Sequence, residues 1–169
     1  MQRSSEEVCD FFATLVKDHA GIEARLKELD QAALALSRAA GDAAALEVVS
    51  RTLAFFETDG ARHEADEELS LLPRLRSLPE FKQILTAMDF QHRMNHAAEQ
   101  ELAACVAKFA PERGRELVRL VLRFVEMHRG HMFAEERAVF PTAASGLSRD
   151  DLAEMGREMQ DRRRVAPRA

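Results

Sequence analysis

The chain of 169 residues has no tryptophan and no tyrosine, and only seven glycines, five prolines and two cysteines. Each scarcity excludes something. Cys9 and Cys105 stand apart, without Cys-x-x-Cys spacing, and read as buried free thiols rather than a disulfide or a zinc site. No apolar run reaches the roughly 20 residues that cross a bilayer. Residues 1–7 lack the basic and apolar regions of a signal peptide, so the expectation is a cytoplasmic protein with no membrane partner. There is no Gly-rich phosphate loop, and no motif supports a serine nucleophile. A net charge of −5 argues against nucleic acid as a partner. The basic tail of Arg162, Arg163, Arg164 and Arg168 reads as a solvated, frayed terminus. Without Trp or Tyr, near-ultraviolet absorbance is very weak, and any strong band beyond it belongs to a cofactor.

What is present is helix-forming: Ala, Leu, Glu and Arg dominate, and 46% hydrophobic content suffices for the core of one domain spanning 1–169. Ser4-x-x-Glu7 is a capping box, followed by Val8, Phe12, Leu15, His19, Ile22, Leu26, Leu29, Ala33 and Leu36 at helical spacing, to about Ala40. Gly41 closes this helix and Asp42 caps the next, whose seam is Leu46, Val49, Leu53, Phe56, Gly60, His63, Glu67 and Leu71. Pro73 and Pro79 bracket a connection. A third helix turns Phe81, Leu85, Met88, His92, Asn95, Glu99, Leu102, Val106 and Phe109 inward, and breaks at Pro111. A fourth carries Leu117, Leu120, Val121, Phe124, Met127, His131, Glu135 and Val139 inward and is expected to stop before Pro141. Long helices joined by short turns predict an all-α, up-down-up-down four-helix bundle over about 5–142. Ser148 and Asp151 start a short C-terminal helix, expected to reach about Arg162 and lie across the bundle.

Two segments share one phrase. His63-Glu64-Ala65-Asp66-Glu67-Glu68-Leu69-Ser70-Leu71-Leu72-Pro73 is answered by His131-Met132-Phe133-Ala134-Glu135-Glu136-Arg137-Ala138-Val139-Phe140-Pro141. At about 100° per residue, the Glu four places after each His lies about 40° round from it, whereas the next lies about 140° away. Each phrase therefore sets one imidazole beside one carboxylate, and its second Glu is expected to face outward. The midpoint of His19 and His63 is position 41, and that of His92 and His131 falls between Pro111 and Glu112. Both midpoints are predicted turns, so the four imidazoles share one height. Six polar groups in otherwise apolar seams would be buried without reason unless a metal were there. Four His and two Glu exceed what one tetrahedral zinc takes, and suit two iron ions sharing both carboxylates and a bridging oxo or hydroxo group. One coordination position on each iron stays open for a small ligand. His96, Glu64 and Glu136 are further candidates for the metal or its surroundings, and His128 for its surroundings. A zincin is excluded because the phrase ends in Glu, and a ferritin-like site because no Glu stands three before any His.

The sequence of Asp18-His19, His63 to Glu67, Gln91-His92 and His131 to Glu135 resembles the hemerythrin-like (HHE cation-binding) family over about residues 5–142. The resemblance implies a four-helix bundle with a non-haem di-iron centre that binds dioxygen, peroxide or nitric oxide. It does not fix one role, because members look like oxygen carriers, iron or oxygen sensors, and proteins of nitric oxide or peroxide detoxification. The oxygen carriers have His-x-x-x-His on helix three and His-x-x-x-x-Asp on helix four. Here His92-x-x-x-His96 matches the first, while the second is replaced by Glu135 and Glu136. The expected site is four His and two Glu, with His96 outside it.

Overall fold

A computed structural model describes residues 10–164, which are helical throughout apart from short connections. The Ser4 capping box, Val8, Cys9 and Arg168 lie outside those residues. Helix α1 (Phe11–Arg38) is started by Asp10, whose carboxylate accepts the Ala13 N–H at 3.0 Å. Ala39 and its neighbours turn the chain, and Asp42 caps the next helix by accepting from Ala45 N. Helix α2 (43–75) and helix α4 (114–146) each run past the expected stop. Helix α3 (Lys82–Ala107) lies between them, and α5 (Arg149–Arg164) closes the described chain. Ser148 caps α5 through the Asp151 N–H, as the capping box predicts. No described helix is long and apolar enough to cross a membrane.

The proline expectation is corrected by the backbone. In α2 the segment Glu67–Leu71 widens to a π-helical turn, and in α4 the segment Glu135–Val139 does the same. The Leu72 N–H bonds Glu67 O, and the Phe140 N–H bonds Glu135 O, five residues back. Pro73 and Pro141 come next, where the register returns from five to four. There the ladder drops one bond, and a residue without an N–H costs least. Both helices therefore continue, α2 to Leu75 and α4 to Gly146.

Helix α1 packs on α2 and α4, α3 packs on α4 and less extensively on α2, and α5 lies against α1 and the later part of α2. The apolar interior falls into two clusters. One joins Ile22, Leu26, Leu29, Val49, Leu102, Val121 and Phe124. The other joins Phe11, Leu15, Leu71, Leu75, Phe81, Met88 and Phe140 with Met155 and Met159 of α5. Each fully buried Leu or Phe contributes about 1.5–3 kcal/mol. The seven-residue seam drifts about 20° per heptad on a straight helix. Accordingly α3 turns Ala98 and Cys105 inward, while Glu99 and Val106 are half-buried. Cys105 is a free thiol, its pKa raised by burial.

The two bundle-end turns meet at Gly114, where an added Cβ would fall on the Cβ of Ala40 and 3.3 Å from its Cα. Gly41 lies in the turn that follows the helix, but not in the left-handed region: no described residue has positive φ, and nothing lies within 4 Å of a Cβ built there. Gly114→Ala is expected to destabilise by about 1–3 kcal/mol through overpacking. Gly41→Ala is expected to stabilise by about 0.4–1 kcal/mol, since it only restricts the unfolded chain. Urea unfolding of the two variants checks the difference in sign.

Candidate metal centre

Between the two apolar clusters lies a polar layer. His19, His63, Glu67, His92, His131 and Glu135 all meet there, each buried, and both carboxylates have 0% exposure. The helices bring the six together as the spacing predicts. His19 Nε2 stands 3.2 Å from Glu135 Oε2 and 3.2 Å from His63 Nε2. His63 Nε2 is 3.3 Å from Glu67 Oε1, His92 Nε2 is 3.5 Å from Glu67 Oε2, and His131 Nε2 is 3.1 Å from Glu135 Oε1. Two groups of four result: His19, His63, Glu67 and Glu135, and Glu67, His92, His131 and Glu135, with donor atoms in each group within 4.8 Å of one another. Both carboxylates belong to both groups.

The opposite ring nitrogens point outward, each toward a fixed acceptor. His19 Nδ1 donates to Glu136 Oε1 at 2.8 Å, His92 Nδ1 to Glu68 Oε1 at 3.4 Å, and His131 Nδ1 to Gln91 Oε1 at 3.3 Å. His63 Nδ1 faces Asp18 Oδ2 at 3.6 Å, ion-pair range and longer than a hydrogen bond. These partners hold each ring with Nε2 free to face the centre. They also follow a rule. The residue before each lone His supports the phrase His of its own half: Asp18 for His63, Gln91 for His131. The second Glu of each phrase reaches to the other half's lone His: Glu68 to His92, Glu136 to His19. Both Glu remain partly exposed, as the helical angle predicts, but the widened turn lets their carboxylates reach back to a ring. The sequence carried the signal in the doubled Glu-Glu and in the residue preceding each lone His, read above only as part of the pattern.

The other candidates lie at the margin. His96 is 52% exposed, and its Nε2 pairs with Glu64 Oε1 at 3.0 Å. Glu64 also stands 3.7 Å from His92 Nδ1. His128 is buried, donates from Nδ1 to Phe124 O at 2.9 Å, faces Glu99 at 3.2 Å, and stacks on Phe124. A cavity of about 250 Å³ links this margin to the centre. Its walls include His63, Glu67, His92 and His131, the apolar Ile22, Phe56 and Met132, and the polar Glu57, Glu64, His96, Glu99 and His128.

The electrostatics are those of a cluster holding protons where cations fit. Burial raises Glu135, the neighbouring Glu67 charge adds to it, and the carboxyl ends well above the usual range. Glu67 is also penalised by burial, but the charge and hydrogen bonds of His63 and His92 outweigh that and hold it well below. Burial opposes charging of His63, yet Glu67 and Asp18 push it up to about 10. His131 goes the other way, to about 3, because burial and the nearby positive imidazoles outweigh Glu67. His19 is lowered mainly by burial, and His92 is raised because Glu67 overcomes burial. All four oxygens of Glu67 and Glu135, with His92 Nε2, are buried and lack a well-aligned hydrogen bond. The Nε2 atoms stand 3.1–3.5 Å from these oxygens without a well-aligned hydrogen bond to them. Leaving such groups unpaired in an apolar interior costs several kcal/mol. Nitrogen and carboxylate donors in this ratio suit a first-row divalent cation.

Comparison with known proteins agrees. Residues 10–143 match the Hemerythrin HHE cation binding domain. An uncharacterized protein of Haemophilus influenzae is 29% identical over 124 residues, which cover 72% of this chain and 72% of that protein. With a buried His and Glu centre between its helices and a family match over most of its length, this chain belongs to the hemerythrin HHE cation-binding domain family.

Proposed function

We propose that the protein is a cytoplasmic non-haem di-iron protein that binds dioxygen, peroxide or nitric oxide at an open iron position. In this reading the chain is one domain, an up-down-up-down four-helix bundle with α5 across it. One iron would be held by His19 and His63 and the other by His92 and His131, with Glu67 and Glu135 within reach of both. The observation that carries the reading is the sharing of two fully buried carboxylates, ringed by imidazoles but without a well-aligned hydrogen bond, by two pairs of imidazoles. Bound iron supplies affinity for small ligands and the capacity to exchange electrons with them.

The chain's own residues do the rest. Asp18, Glu68, Gln91 and Glu136 orient the rings through Nδ1, so Nε2 presents its lone pair inward. Ile22, Phe56 and Met132 give the cavity an apolar stretch of wall, which favours a small neutral ligand there. The cavity reaches His63, Glu67, His92 and His131, so approach comes from that side. A second reading, turnover of peroxide or nitric oxide, is favoured by the polar run of Glu64, His96, Glu99 and His128 along the cavity, which offers proton carriers to the centre. Steady consumption of peroxide by the iron-loaded protein supports turnover, and one equivalent bound without turnover rejects it.

Anaerobic reconstitution with Fe²⁺ is expected to load two ions per chain, and exposure to oxygen to produce charge-transfer bands free of Trp or Tyr background. Fewer than one iron per chain and no such bands would reject the proposal. Glu67→Ala, which removes a ligand from both ions, is expected to weaken both. His19→Ala is expected to weaken chiefly one, by at least the 10–100-fold typical of lost supporting groups; chelator competition separates the two patterns.

Iron and protons compete for the same atoms. His63, raised to about 10, carries a proton at pH 7 in the metal-free protein, and Glu135, raised well above its usual range, holds its proton more tightly than an ordinary carboxyl. Loading at pH 7 is therefore expected to release about one proton or more, that of His63 first, read by calorimetry in buffers of different protonation enthalpy. The sign follows: affinity falls as pH falls. Conversely, the ion pairs of His63 stabilise the metal-free fold fully below the ordinary pKa of 6.5, and that contribution fades as pH rises through about 10.

A further inference from the structure

Helix α5 lies beyond the residues that match the family, yet it grips the centre. Asp66, next to Glu67, and Ser70, within the same widened turn, are both completely buried. Arg162 Nε donates to Asp66 Oδ1 at 2.6 Å and its Nη2 to Ser70 Oγ at 2.6 Å. Arg163 Nη2 donates to Asp66 Oδ2 at 2.7 Å and also to Asp18 Oδ2, the oxygen that faces His63 Nδ1. Ser70 Oγ in turn donates to Glu158, which Arg74 of α2 holds at 2.8 Å. The expectation of a solvated arginine tail is therefore overturned for Arg162 and Arg163, because buried carboxylates demand their charge.

The duplicated phrase supplies an internal control. Sixty-eight residues on, where Asp66 and Ser70 would recur, the second phrase has Ala134 and Ala138. Its turn widens in the same way and presents Glu135 in the same way, with alanine at both positions. Asp66 and Ser70 are thus not needed to form the turn. Their side chains serve the contact with α5.

We propose that α5 is a clamp, with Arg162 and Arg163 as positioning residues that fix Glu67 and His63 for the cations, so that helix docking and cation binding favour one another. The inference rests on the metal-holding reading above. Arg163 stations the Asp18 carboxylate beside His63, and Arg162 ties down both ends of the turn that carries Glu67. Coupling of this kind is reciprocal: whatever factor docking contributes to cation affinity, cations return to docking.

Amide hydrogen exchange of residues 149–164, with and without anaerobic Fe²⁺, tests the clamp in the wild-type chain. Loading is expected to slow exchange there about tenfold. The double variant Asp66→Ala, Ser70→Ala, which writes the second phrase's residues into the first and leaves no orphaned acceptor, is expected to exchange faster in α5 and to bind Fe²⁺ about tenfold more weakly. In that variant iron should still slow exchange in the bundle helices but no longer in α5, a change that a merely structural contact would not produce. Wild-type protein that loads two ions while α5 exchanges equally fast in both states overturns the clamp alone. So does a double variant with loosened α5 and unchanged affinity. Wild-type protein that takes up no iron overturns the functional proposal and the clamp with it.

Discussion

Two carboxylates that touch no water and have no well-aligned donor set the terms for this molecule. Burying a charged group without compensation costs more than most single contacts contribute, and here two such groups face each other between apolar layers. Without a cation, protons compensate: burial and the Glu67 charge hold the Glu135 carboxyl well above its usual range, while Glu67 raises His63 and His92. The cluster is thus frustrated in one state and fitted to another. The surrounding apolar clusters make the frustration affordable, because several fully buried Leu and Phe on either side hold the helices in register regardless of what sits between them.

Much of this was legible in the sequence, for definable reasons. Helical spacing placed His19, His63, Glu67, His92, His131 and Glu135 on inward faces, and the symmetry of each pair about a turn put them level. What spacing could not show was backbone that departs from the regular helix. The Pro that closes each phrase, Pro73 and Pro141, looked like a helix stop, because proline lacks the N–H that the next turn needs. The widened turns at Glu67–Leu71 and Glu135–Val139 remove that need just where the prolines stand. The same widening accompanies the bonds that Glu68, expected to face outward, and Glu136, a candidate for the surroundings of the metal, make to imidazoles.

The arginines of the C-terminal helix were misread for a different reason, though the helix itself forms where its capping box places it. A cluster of arginines at the end of a chain carries no periodic apolar signal of a partner, so solvation is the natural reading. The answering charges were visible but far away: Asp18 and Asp66 are separated from Arg163 by 145 and 97 residues. A sharper signal lay in comparing the two phrases with each other. Where a repeat differs at a buried position, one copy meets something that the other does not, and Asp66 against Ala134 is such a difference.

The crossed support of the imidazoles changes what the duplication means. Two similar halves invite the idea of two modules, each with its own cation and its own fate. Yet Glu136 steadies His19 and Glu68 steadies His92, so each half completes its partner's ring. A substitution in one helix is felt by a ligand from the opposite end of the chain. The halves are consequently not separable inheritances: neither could drift, be replaced or be borrowed alone without taking the other's histidine with it.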